Sequence, residues 1–189
     1  MAAAFLLLAA LLFRSCLWAQ GSGIAAPSFS PDSIVSSGNG SSASLTPNGL
    51  ASIYGSNLAF LTQTVSLGNV SQGMLPTTLG GIRVEVGGVF APLLYVSPTQ
   101  VNFLMPANLL PGSSTVTLVR GSTATQPSAI ILLDAAPALF VVNSVIAAEH
   151  TDGSLVSTDA PANPGEVIVV YCTGLGRTNP RQVDGTVPV

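Results

Sequence analysis

His150 is the only histidine in the chain, and it stands between Glu149 and Asp152. An imidazole among carboxylates could serve as a general base or a metal ligand. A base needs a nucleophile within hydrogen-bond reach and a group that orients its ring. The chain holds no GxSxG elbow, and one histidine with scattered carboxylates is a poor zinc set. A solvated loop is the expected setting for His150. Cys172 would act as a nucleophile only with a depressed pKa. It follows the run Val167-Ile168-Val169-Val170-Tyr171, which predicts a buried, inert thiol. Asp152-Gly153-Ser154 and Asp159 lack the ligand spacing of a calcium loop, and Gly174-Leu175-Gly176 lacks the third glycine and the helix of a nucleotide loop. The residues therefore predict no catalytic, metal or cofactor site, and a protein that is not an enzyme.

Tyr95, Gln100 and Asn102 are the candidate ligand-binding residues. Two side-chain amides flanking a turn can hydrogen-bond a sugar, and a tyrosine ring can stack on one. The competing expectation is that the amides tie the turn to neighbouring backbone. Tyr54, Tyr95 and Tyr171 each lie in an apolar run, which predicts packing in or at the edge of the core.

The elements that must position these residues centre on Leu79 to Pro106, LGGIRVEVGGVFAPLLYVSPTQVNFLMP. Ile82, Val84 and Val86 alternate with Arg83 and Glu85, the period of a half-buried strand. Gly87-Gly88 predicts a tight primed turn, and the chain returns through VFAPLLYV. Ser97-Pro98-Thr99-Gln100 predicts a second turn, and Val101, Phe103 and Met105 a third apolar stripe. The expectation is a three-stranded meander with one apolar face, covered by a second sheet. Further short strands are expected at Ser33–Val35, Leu50–Tyr54, Ser114–Val119 and Ser128–Leu133, with a long loop over Ala59–Pro76 and a turn at Arg120-Gly121-Ser122. Short strands separated by Gly- and Pro-rich turns indicate an all-β sandwich or barrel.

Composition narrows the partners. The 189 residues carry 5 basic and 8 acidic side chains, a net charge of −3. With no lysine and no basic stripe, nucleic acid is excluded as a partner. Residues 2–13, AAAFLLLAALLF, match the core of a signal peptide and are too short to span a bilayer. Leu17-Trp18-Ala19 offers a cleavage site, so residues 1–19 are expected to be a signal peptide, with export to the cell surface or medium and no membrane span afterwards. Residues 20–33 are expected to be a flexible leader. Loss of Cys16 with the signal would leave Cys172 alone, so the fold must rest on its apolar core without a disulfide.

An internal echo appears late in the chain. PNGLASIYGSNL from Pro47 aligns without gaps on PGEVIVVYCTGL from Pro164, with Tyr171 on Tyr54 and Leu175 on Leu58. A repeat at about one sandwich length suggests duplication. Residues 137–163 are then a connector and 164–189 the start of a second unit, with Val167–Tyr171 as an unpaired strand.

Five segments together carry a resemblance: GSNLA at 55–59, LPTTLGGIRVEV at 75–86, APLLYVSPTQVNFLMP at 91–106, APALF at 136–140 and GEVIVVYCTGLG at 165–176. They resemble the Solibacter-type C-terminal domain, a family of uncharacterised modules at the ends of large exported proteins of acidobacteria. The resemblance covers most of residues 45–185. The family is similar in pattern to immunoglobulin-like IPT/TIG domains, which implies an immunoglobulin-like β-sandwich over residues 34–136. It implies no catalytic residues. Family members continue past the position of Asp184-Gly185 into a second similar half, whereas this chain ends in Thr-Val-Pro-Val, so 164–189 is expected to be a truncated second domain. The combined expectation is an exported, non-catalytic structural or adhesion module contacting other surface proteins, with a carbohydrate-binding accessory module as the alternative.

Overall fold

The computed structural model describes residues 25–142 and 145–186. The expected signal peptide, with Cys16 and Trp18, lies outside the described residues. The fold is an all-β sandwich followed by a small annex of short ladders. In chain order the sandwich strands are β1 (Ile34–Ser36), β2 (Leu50–Tyr54), β3 (Gln63–Thr64), β4 (Ile82–Val86), β5 (Val89–Phe90), β6 (Leu93–Val96), β7 (Gln100–Leu104), β8 (Gly112–Arg120), β9 (Thr123–Ala124) and β10 (Ser128–Leu132). One sheet has the order β1-β2-β7-β6-β3, and the facing sheet has β10-β8-β4-β5 with β9 paired to β8. All their pairings are antiparallel.

Alternation explains the core. Ile82, Val84 and Val86 from one sheet meet Ile53, Leu93, Val101 and Phe103 from the other, and all are fully buried. Both expected turns form. Gly87 and Gly88 take φ of 56° and 85°, a conformation open to glycine without the Cβ penalty. At the second turn the Ser97 N–H donates to the Gln100 carbonyl at 2.8 Å.

The expected single-sheet meander is corrected. β4 and β5 form a hairpin in one sheet, and β6 and β7 lie in the other. The run VFAPLLYV is cut at Ala91-Pro92. Pro92 has no N–H to continue a ladder, so the chain crosses the core there. The Ala91 N–H bonds Val84 on one side, and the Leu93 N–H bonds the Pro76 carbonyl on the other. β8 is also longer than expected, and it includes Arg120 instead of turning there.

Residues 25–33, the described part of the expected leader 20–33, make contacts with the sandwich. Ser28 and Ser56 exchange two backbone hydrogen bonds of 3.0 and 2.9 Å. Phe29 packs on the core, and Pro31–Ser33 form one 3-10 turn.

The annex contains β11 (Ala138–Leu139), β12 (Val141–Val142), β13 (Val145–Ile146), β14 (Ala148–His150), β15 (Ile168–Val170) and β16 (Cys172–Thr173). Four of these strands fall in the expected connector. The strand expected to be unpaired has a partner: β15 pairs antiparallel with β14, and β16 with β11. Ala147 and Phe140 bond Tyr171 from either side, so residues 168–173 form one spine. β12 and β13 pair antiparallel with each other, Val141 opposite Ile146 and Val142 opposite Val145. Thr173 Oγ1 accepts the Leu50 N–H at 2.7 Å, and the Gly174 carbonyl accepts the Ala136 N–H at 2.8 Å. The tail returns to the sandwich, where Asp184 Oδ1 accepts the Ala107 N–H at 2.5 Å and the Gly185 carbonyl accepts the Leu75 N–H at 2.8 Å.

Candidate functional site

The outer face of the β1-β2-β7-β6-β3 sheet gathers the polar residues of its strands. Because Val101 and Phe103 point into the core, Gln100 and Asn102 point out. The register sets Val35, Ser52, Asn102, Tyr95 and Thr64 in one row across five strands, with Tyr54 opposite Gln100 beside it. The three candidate ligand-binding residues, Tyr95, Gln100 and Asn102, are therefore brought together on one face. Tyr54 joins them, 47% exposed. Tyr54 departs from the expectation of packing in or at the edge of the core, because strand parity turns it outward. Tyr95 is half-buried, and a register shift at Leu94 sets it opposite Asn102.

A hydrogen-bond chain runs over this face. Ser37 and Ser52 share a hydroxyl bond of 2.9 Å. Asn102 Oδ1 accepts from Ser52 Oγ at 3.1 Å and from Gln100 Nε2 at 2.8 Å. The amides were expected to tie the turn to backbone, but Ser97 does that. Its hydroxyl accepts the Gln100 N–H at 2.9 Å and donates to the Gln100 carbonyl at 3.2 Å. The amides instead bond each other. Both bonds fall on the Asn102 carbonyl oxygen, so the chain runs from Ser37 through Ser52 to Asn102 and Gln100.

The second group of reactive side chains sits in the annex, away from that face. His150 ends β14, and its Nδ1 meets Glu166 Oε1 while its Nε2 meets the Ala160 carbonyl at 3.2 Å. The imidazole pKa is raised, chiefly by the hydrogen bond to Glu166 and then by the Ala160 carbonyl. Glu166 is lowered, first by the Asn163 backbone N–H and then by His150. Asp152 does not bond His150; it accepts from the hydroxyl and N–H of Ser154, which lowers its pKa. Glu149 faces the other side of β14 and accepts the Tyr171 hydroxyl at 2.9 Å, which raises the phenol. His150 is thus a structural tether with both ring nitrogens engaged. Cys172 is exposed, correcting the expectation of a buried thiol: in β16 it is Thr173, not Cys172, whose side chain is buried against the sandwich, where it accepts the Leu50 N–H.

Two features escaped the sequence reading. Glu166 lies sixteen residues from His150 in the chain, and only the closing of β14 on β15 brings them together. Arg120 is 96% buried at the end of the inward stripe Val116, Leu118, Arg120. Its guanidinium donates to the carbonyls of Asn57 and Ala25 and lies 4.5 Å from the centre of the Phe60 ring. Extending the parity of β8 by two residues was the signal that could have found it. No family model matches the chain, and no curated protein matches it.

Proposed function

We propose that this chain is a non-catalytic structural or adhesion module, exported and working by contact with other proteins at the cell surface or outside the cell. The carrying observation is the apolar surface of the annex. The four strand residues of the β12–β13 ladder, Val141, Val142, Val145 and Ile146, are 44–61% exposed, and Val167, Val169 and Tyr171 are exposed nearby. Single exposed apolar residues are ordinary, whereas a cluster on adjoining short ladders is the kind of surface that mediates protein contact. Export is supported by the apolar run 2–13 followed by Ala19. The engagement of both His150 nitrogens supports a structural role for the residue that would otherwise be the candidate base. The all-β sandwich suits the immunoglobulin-like reading.

Beads carrying the full chain should adhere to intact cells and to an envelope-protein fraction, and Val142→Asp with Ile146→Asp should remove most of that adherence. Adherence unchanged by the double substitution would overturn the proposal. A carbohydrate-binding reading is favoured by one separate observation, the convergence of Tyr54, Tyr95, Gln100 and Asn102 on one sheet face. Binding on a glycan array that disappears with Tyr95→Ala, while the hairpin variant still binds, would select that reading.

A further inference from the structure

We propose that His150 is a pH-operated clasp, which as imidazolium holds the loop 151–166 against the β14–β15 ladder and as neutral imidazole releases part of it. The inference goes beyond the adhesion reading and does not depend on it.

The protons on the ring are fixed by what it faces. A carboxylate and a backbone carbonyl only accept hydrogen bonds. His150 Nδ1 faces the Glu166 carboxylate, and Nε2 faces the Ala160 carbonyl. Both ring nitrogens must therefore donate, and only the imidazolium carries two N–H groups. The neutral ring satisfies one partner and turns a lone pair toward the other.

The loop is built so that this matters. Its first part is fastened by backbone: His150 N–H to the Ser154 carbonyl at 2.8 Å, and Val156 N–H to the Ala148 carbonyl at 2.9 Å. The far part is fastened differently. Among the described residues, the hydrogen bonds joining 157–165 to the ladder all pass through His150 or Glu166. Glu166 Oε2 accepts the Asn163 backbone N–H at 2.8 Å and its amide at 3.3 Å, while Oε1 faces the imidazole. One ring thus bridges Ala160 and Glu166, and Glu166 extends the bridge to Asn163. The His150 and Glu166 side chains are 14% and 23% exposed, so the bridge is partly shielded from solvent.

The charged surroundings agree. Asp152, on the first part of the loop, adds attraction for the imidazolium. Asp159 precedes Ala160 in the loop, and Glu149 is on the opposite face of β14, committed to Tyr171. The imidazole is raised above 6.5, so its contribution is fully present below that value and is lost as pH rises through the raised pKa. Glu166 is lowered, so its contribution is lost only as pH falls through that lowered value. The clasp is closed between the two and opens on the alkaline side.

The sole histidine makes the test direct. An NMR titration of the intact chain should show the imidazole titrating above 6.5, with both ring nitrogens protonated at mildly acidic pH. Proteolysis within 157–165, referenced to a free peptide at each pH, should accelerate by up to about tenfold per pH unit between the pKa of the released ring and that of the clasped one. His150→Gln should flatten that profile, and Glu166→Gln should bring the imidazole pKa down. Titration at or below 6.5, or a cleavage profile that survives His150→Gln, would overturn the proposal.

Discussion

Val84 in the sandwich and Val169 in the annex sit in strands of the same character, yet Val84 is fully buried and Val169 is 47% exposed. β4 reads Ile-Arg-Val-Glu-Val, and the late strand reads Val-Ile-Val-Val-Tyr, which is the greasier of the two. The less apolar strand is buried because a second sheet covers it. Among the described residues, the packed core cluster ends at Leu132, and beyond it the only buried apolar side chains are the small ones of Ala138 and Ala148. Burial is therefore a property of the layer opposite a strand, and hydrophobicity alone does not secure it. The annex is held mainly by hydrogen bonds to the sandwich and by close fit at its root. Gly38 lies against Ala138 and Thr173, where an added Cβ would come within 2.8 and 2.9 Å of their side chains.

The contrast can be broken first at the centre of the core. Phe103→Ala should destabilise the sandwich by about 3–5 kcal/mol in a denaturant melt. A loss below about 1 kcal/mol would mean that the ring does not fill the space between the sheets. A smaller effect is expected at the root of the annex. Gly174 takes φ +80°, and a Cβ there would lie 2.2 Å from the Ala136 carbonyl oxygen. Gly174→Ala should cost about 1–3 kcal/mol. It should speed amide exchange in β11 and β16 while leaving Val84 and Phe103 protected. Equal loss of protection in both regions would show that they unfold together. The smallest change belongs to the exposed ladder. Val169→Thr should alter stability by less than about 0.5 kcal/mol, measured by the same melt. A larger loss would mean that the annex carries a packed layer of its own.

Much of the sandwich was legible in the chain. The alternation at 82–86 and 101–105 names the residues that point inward, and the glycine pair at 87–88 names the turn. The placement of Gln100 and Asn102 on a common outer face follows from the same parity. Three things were not legible. The break at Ala91-Pro92 was hidden inside an unbroken apolar run, and only the crossing to the other sheet reveals it. Arg120 looked like a turn residue because a charged side chain inside a core stripe is costly unless carbonyls are waiting for it. Those carbonyls come from Asn57 and Ala25, far away in sequence. The partner of His150 was equally distant, so neighbouring Glu149 and Asp152 drew attention that belonged to Glu166.

The sequence by itself determined which side chains of a strand share a face and where the glycine and proline turns fall. Backbone geometry alternates side chains locally, and that rule needs no distant information. The tertiary structure decided which sheet each strand joins, which greasy strand stays uncovered and which acid meets the single histidine. Those outcomes depend on contacts between segments far apart in the chain, and no local pattern of residues encodes them.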